Sequence, residues 1–495
     1  MQTFITFWEK NPLLWIGLHI FFGTGAAAGW TMLLLPLACV LWIPLFTHWQ
    51  KILMGILLFF STWMAASPFF EKNEWPNNGV EGLLYFSISQ VKASQTPFGP
   101  LLCYQGAAKG FVNRDSRKIA QIPCQILLKE SKNRPLANCD YVIKGRMQKT
   151  RKGAFVFKPD RKFSWLPVEN THSFAEWRFN FKKAMSHFIH QHFGKTPCSA
   201  LFTSLSTGDI EERNLAIEFS RLGLSHILAI SGFHFSLLAS FLLFSARLFL
   251  SFRKAQIVVL IFIGGYLFFL GPCCSAMRAC CAISLALTGK ICCLRSSGLN
   301  ALGGGLMVIL LVDPSFCQNL GFQLSFLCTG ALLLLFEPCE KLLTCIFPQR
   351  SIATMKNMTL VDQHGVLLAG LIRKALALTL AVHVITLPVC LFYFSSFPLI
   401  GSMLYNLFFP FLISISLMLF LVGCIALTFA PPVGEFINSM NSSFTNFLLN
   451  SVSQAPLAIK GTLSCNHITP LLISIYLSAF LFFAIYWPNR QKGIC

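Results

Sequence analysis

The chain has 495 residues, 55% of them hydrophobic and 12% charged, with 50 phenylalanines and a formal net charge of +20. That composition excludes an ordinary soluble domain and a disordered chain, and it belongs to a protein that crosses a bilayer many times. The cationic excess suits an anionic partner, nucleic acid or lipid headgroups, although the loop bias of membrane proteins supplies part of it without any partner.

Residues 13–30, 32–46 and 52–67 read as three closely spaced transmembrane helices, the second short and holding Pro36 and Pro44. No cleavable signal peptide is evident before them. The domain expected at residues 1–68 is therefore a set of N-terminal spans. Residues 69–172 change character. Residues 71–195 carry 21 Lys and Arg against 9 Asp and Glu. Strand-like runs at 83–88, 122–128, 141–147 and 154–157 are separated by turn formers at 97–100, 133–135 and 152–153. Short strands at this spacing predict a small β-barrel of the OB type. A domain of this length escapes the positive-inside rule, so its charge does not place it in the cytoplasm.

Within that segment Arg151, Lys152, Phe155, Phe157, Lys158, Arg161, Lys162 and Trp165 interleave cations with aromatics. Single-stranded nucleic acid is held by such a mixture, charges tracking phosphates and rings stacking bases. A hairpin with rings inward and lysines in water has the same pattern, and both readings stand. The 19 cysteines lie mostly in apolar runs such as Cys273-Cys274, Cys280-Cys281 and Cys292-Cys293, where the thiol is a small hydrophobe. None has zinc-site spacing. Only Cys103, Cys124 and Cys139 fall in the polar segment; a Cys124–Cys139 bridge is open there if that side is oxidising.

Residues 173–222 read as amphipathic connecting helices. His187, His190 and His192 cluster on the first, but no Cys, Asp or Glu close by completes a metal site, so solvated or interfacial histidines are expected, with no metal. Residues 223–495 read as a transmembrane core. It opens on LGLSHILAISGFHF, residues 222–235, in an apolar run that continues to Leu250. His226, Ser231, Gly232 and His234 occur where a lipid anchor would carry leucine, and such polar groups face a bundle interior or a water-filled path. In one helix His226 and His234 share a broad face, and Ser231-Gly232 permits a bend or close backbone approach.

Further spans are expected at 257–270, after Ser275 and Arg278, at 301–312, after Gln323 and Ser325, at 375–394 and at 468–487. Residues 337–363 read as a polar loop and 436–458 as weakly amphipathic. Residues 398–432, with Asn406 and Pro410, are too long for one ordinary helix and predict a broken or re-entrant segment. Arg253-Lys254, Lys290 and Arg295 fit cytoplasmic turns, and Arg490 and Lys492 favour a cytoplasmic tail. The fold class is thus a polytopic α-helical membrane protein with an inserted small OB-like β-barrel.

Residues 204–235, SLSTGDIEERNLAIEFSRLGLSHILAISGFHF, resemble the central motif of the ComEC-type competence proteins, inner-membrane channels for DNA uptake. The matching positions are Gly208, Asp209, Gly223, Leu224, His226, Ser231, Gly232 and His234. Phe233 and Phe235 stand where that family more often has smaller aliphatic residues. Ser275, Arg278 and Ala279 match a Ser-x-x-Arg-Ala step, GFQLSF at 321–326 matches a second signature, and 404–410 is similar to an Asn-Leu-x-x-x-Pro step through Asn406 and Pro410.

The resemblance implies an OB-like domain after the first helices and a channel that passes single-stranded DNA into the cytoplasm. Its channel candidates are Gly208, Asp209, His226, Ser231, Gly232, His234, Arg278, Gln323, Ser325 and Asn406. Three readings of Arg278 stand: a phosphate contact, an ion pair with Asp209 or Glu212, or snorkelling to the interface. Gln323 and Ser325 read equally as a clamp between helices or as pore lining. Many family members continue into a metallo-β-lactamase-like domain, whose His-x-His-x-Asp-His motif is absent here, as is a P-loop. The chain is therefore expected not to be an enzyme and to take no cofactor. Its expected partners are single-stranded DNA, the bilayer, and a separate DNA receptor, nuclease and ATP-driven motor. The expected location is the inner membrane, with the barrel on the extracytoplasmic side. The rivals are a transporter for a small anionic solute or lipid, which predicts an occluded midplane pocket, and a non-conducting assembly scaffold.

Overall fold

The computed structural model describes residues 2–30, 49–70, 79–96, 99–113, 116–118, 122–129, 134–150, 155–160, 163–271, 273–292, 297–465 and 468–491. The span expected at 32–46 lies outside them. The chain begins with helices α1 (Gln2–Lys10), α2 (Pro12–Ala27) and α3 (Trp49–Phe70). Seven strands follow: β1 (Val80–Thr96), β2 (Gly99–Asn113), β3 (Ser116–Lys118), β4 (Ile122–Lys129), β5 (Tyr141–Lys149), β6 (Phe155–Pro159) and β7 (Leu166–Pro167).

Five of these close a ring in the order β1-β2-β4-β6-β5-β1. Its pairs are antiparallel except β4–β6. This is the five-stranded Greek-key barrel of the OB type. β1 serves two partners because register shifts at Tyr85/Phe86 and Ile88/Gln90 bend it. Alternation fills the inside: Tyr141, Ile143, Gly145 and Met147 of β5 turn inward. They meet Leu84, Phe86, Tyr104, Phe111, Ile126 and Phe157, all fully buried. The Cys124–Cys139 bridge is not formed. Both thiols are free, and burial in the barrel core pushes that of Cys124 up to about 12.

The helical core runs α4 (Ala175–Phe193), α5 (Pro197–Thr207), α6 (Arg213–Arg221), α7 (Ser225–Leu228), α8 (Gly232–Arg247), α9 (Phe252–Leu270), α10 (Cys274–Ile291) and α11 (Gly298–Val312), then a 3₁₀ turn at Pro314–Gln318. It continues with α12 (Leu320–Leu343), α13 (Ile352–Lys356), α14 (Leu360–Phe394), α15 (Leu399–Phe429), α16 (Pro431–Ser453) and α17 (Pro470–Gln491). Among the described residues six helices, α3, α9, α10, α12, α14 and α15, are long and apolar enough to cross a membrane. The segment expected to break near Asn406 is instead one 31-residue helix, α15, with Pro410 inside it. Pro410 removes one backbone bond, but buried Phe409, Ile413, Leu417 and Phe420 pack along the helix and hold its course. The polar loop expected at 337–363 shrinks because α12 and α14 extend into it at both ends.

The barrel caps one end of the core. Gln90 of β1 donates to the Leu270 carbonyl at 3.4 Å, and the Phe174 and Trp177 rings pack on Phe268. The start of α4 is clamped to the barrel by Glu176, which accepts from Arg134 at 2.5 Å and from the Ala137 amide at 2.9 Å. From there α4 runs inward until Phe193 meets Phe420 of α15, and α5 returns toward the barrel. The Tyr266 hydroxyl receives the end of α5 by donating to the Ser206 carbonyl at 3.1 Å. The first turns of α8, α10, α12 and α15 lie at this barrel end. Lys10, Lys51, Arg247, Arg253, Lys254, Lys290 and Lys341 lie at the opposite end.

Candidate functional site

The single helix expected from His226 to Leu250 is two helices with an extended break between them. α7 ends at Leu228, Ala229 is extended at ψ 135°, and Ser231 is the N-cap of α8. The cause is legible in the residues. The Ser231 hydroxyl accepts from the His234 amide at 3.4 Å, and the Ser231 amide donates to His234 Nδ1 at 3.3 Å. His234 therefore takes the place of Glu or Gln in a capping box. Since Nδ1 accepts, the neutral ring carries its proton on Nε2. The break exposes the Ile230 carbonyl, which the Ser275 hydroxyl satisfies. Non-helical backbone at membrane depth requires such partners.

Arg278 of α10 lies against this break. A Cβ on Gly232 would displace the tip of its guanidinium. Arg278 Nε donates to Ser325 Oγ at 2.7 Å. The ion pair considered with Asp209 or Glu212 is not made. Asp209 pairs at 3.4 Å with buried Lys182, Glu211 with His190 at 2.9 Å and Glu218 with Lys460 at 2.8 Å. Among the described residues no acid neutralises Arg278. Its charge instead faces the positive end of α8, whose first amides have no intrahelical acceptors. Two positive groups brought together this way favour an anion between them.

A second polar cluster lies at the start of α15. His383 Nδ1 is bonded at 2.8 Å to the Thr379 carbonyl, which can only accept, so Nδ1 carries the proton. The neutral Nε2 then accepts from the Ser402 hydroxyl at 2.8 Å, and Ser402 accepts from Asn406 Nδ2 at 2.9 Å. Gly223 reaches this chain in a left-handed conformation, φ +72°, and a Cβ there would press on Ser402. His226, three residues on, is bonded through Nδ1 to the Gly223 carbonyl at 3.2 Å. Its ring is exposed although it lies deep in the protein, within electrostatic reach of both His234 and His383.

The other candidates fall into place around these two clusters. Gly208 is the left-handed cap of α5, and Asp209 fixes the following turn to α4 through Lys182. Gln323 is a clamp: it donates to the Cys317 carbonyl and accepts from Tyr393, both at 2.9 Å. His190, expected in solvent, is instead tied to Glu211 and to Ser199. On the barrel, Phe157 is a core residue and closed to a stacking base. Trp165 packs on Tyr104 and Tyr141, Phe155 lies under Lys149, and Lys158 is exposed. Arg151, Lys152, Arg161 and Lys162 lie outside the described residues. Sequence reasoning missed Lys182 and Ser402. The only signal for them was the burial that follows from the motif glycine and aspartate pressing against other helices.

Comparison with known proteins places most of these residues in one matched region. The family model described as competence protein matches residues 207–490, more than half of the chain. The chain is similar to ComE operon protein 3 of Bacillus subtilis (strain 168), 24% identical over 284 residues. That alignment covers 56% of this chain and 33% of the relative, so the chain spans about a third of the protein it matches. No solved structure matches the chain.

Proposed function

The chain belongs to the competence protein family, and from that premise we propose that it takes part in DNA uptake as an inner-membrane channel passing a single strand into the cytoplasm. The observation that carries this reading is Arg278: a guanidinium near the start of an apolar helix, set against a helix N-terminus, with no acid to neutralise it among the described residues. A phosphodiester supplies the missing charge at that place, and passage requires only that each phosphate leave for the next. In this reading the chain guides the strand through hydrogen-bonding and cationic groups and does not cut it. A nuclease, a DNA receptor and an ATP-driven motor are separate partners in this reading. The basic residues of the short loops gather at the end opposite the barrel, which supports a reading with that end in the cytoplasm and the barrel outside.

The test is uptake of labelled DNA in cells lacking the gene and complemented with variants at equal protein level. Arg278→Gln removes a charge-assisted contact and should lower uptake about tenfold or more, with Arg278→Lys in between. Gly232→Leu should block uptake by displacing the guanidinium. Uptake that is normal without the gene, or normal with Arg278→Gln, would overturn the proposal. Loss of transport for a small anion instead of DNA would favour the solute-carrier reading.

A further inference from the structure

A cleft of about 270 Å³ opens at the far end of the core, away from Arg278, between the end of α4 and the first half of α16. It is lined by His192, Phe193, Glu435, Asn438, Ser439, Ser442 and Ser443. Asn438 is 3% exposed, and among the described residues neither its amide nitrogen nor its amide oxygen, which lies against Gly423 of α15, has a partner. Two unmet hydrogen-bonding atoms at one buried side chain are costly, and they mark a place where something polar belongs. Glu435 makes no ion pair among the described residues, and no Lys or Arg lines the cleft. The site therefore favours a group with a cationic end over a net anion.

The position of the cleft narrows the ligand. α16 begins where α15 leaves the core at the end opposite the barrel, and a span the length of α15 ends near a bilayer surface, the level expected for Glu435. Beside the polar stripe runs an apolar one: Phe436, Met440 and Phe447 are all exposed. At about 100° per residue, Ser443 lies only about 20° around the helix from Phe436. One molecule can thus place a polar head in the cleft and a hydrocarbon tail along the adjoining rings. A water cluster would satisfy Asn438 but would leave that apolar flank without a role.

We propose that this cleft is a phospholipid site that takes an amine-bearing zwitterionic headgroup, with the ammonium at Glu435, polar oxygens at Asn438 and the serines, and an acyl chain on Phe436, Met440 and Phe447. The proposal does not rest on DNA transport. The test is native mass spectrometry of the full-length protein released from bilayers of phosphatidylethanolamine and phosphatidylglycerol in equal amounts. The wild type should retain the ethanolamine lipid about tenfold more than the glycerol lipid. Glu435→Gln should abolish that preference. Asn438→Leu should lower retention of both lipids. Ser443→Trp closes the mouth of the cleft without touching the buried amide, and it should also prevent retention in a folded protein. Equal retention of both lipids by the wild type, or retention unchanged in Glu435→Gln and Ser443→Trp, would overturn the site and leave only annular lipid.

Discussion

At the scale of single residues, Ser402 carries more than its size suggests. Its one hydroxyl donates to His383 Nε2 and accepts from Asn406, whose amide oxygen already lacks a partner among the described residues. Ser402→Ala leaves a ring nitrogen and an amide unpaired in a buried place, at a cost of roughly 1–3 kcal/mol. The expected result is a lower unfolding temperature of the purified protein in detergent, with Thr386→Ala as a control that removes only a bond to a helix carbonyl. An unchanged midpoint for Ser402→Ala would show that the chain of bonds is not formed. Asn406, His226 and Gly223 were legible in the sequence as polar or glycine positions in apolar runs. What they touch was not, because each partner is brought by a different helix. His234 shows the limit best. Its spacing from Ser231 fits a capping box, yet a histidine in an apolar run reads first as lining; a bend at Ser231-Gly232 was legible, and the full break that His234 caps was not.

Among the elements, the barrel and α4 are joined by one clamp. Burial alone would raise the Glu176 carboxyl, but the Arg134 guanidinium and the Ala137 amide outweigh it and hold its pKa below the ordinary 4.5. An acid with a depressed folded pKa adds stability that is present above its unfolded value and is lost as pH falls through the folded value. The clamp should therefore hold at neutral pH and loosen below about pH 4.5. Thermal unfolding of the full-length protein should show a destabilisation there that is smaller in Glu176→Gln, which is weaker than the wild type at pH 7. Parallel pH curves for the two proteins would remove the clamp from the account. The barrel itself was legible from four strands with turns between them. The long second strand was not, because Gln105-Gly106-Ala107-Ala108-Lys109-Gly110 lacks the β-branched residues that announce a strand. It forms because partners on both sides supply its hydrogen bonds.

On the scale of the whole molecule, the arrangement of charge predicts which way the protein faces. The broken helix, Arg278 and the barrel share one end, and Arg247, Arg253, Lys254 and Lys290 mark the other. Short basic loops stay in the cytoplasm because carrying each cation across the bilayer is costly. The barrel, long and folded, is exempt from that bias. A cysteine placed at Phe249, in the turn between α8 and α9, should react with a membrane-impermeant thiol reagent only after the cells are opened. A cysteine at Lys144, exposed on β5, should react in intact cells whose outer layers admit the reagent. Both measurements need a background without the native cysteines and with protein at normal level. The reverse pattern would put the barrel in the cytoplasm. The site at Arg278 would then face the strand as it leaves the membrane instead of as it enters, and the direction of passage proposed for this chain would fail.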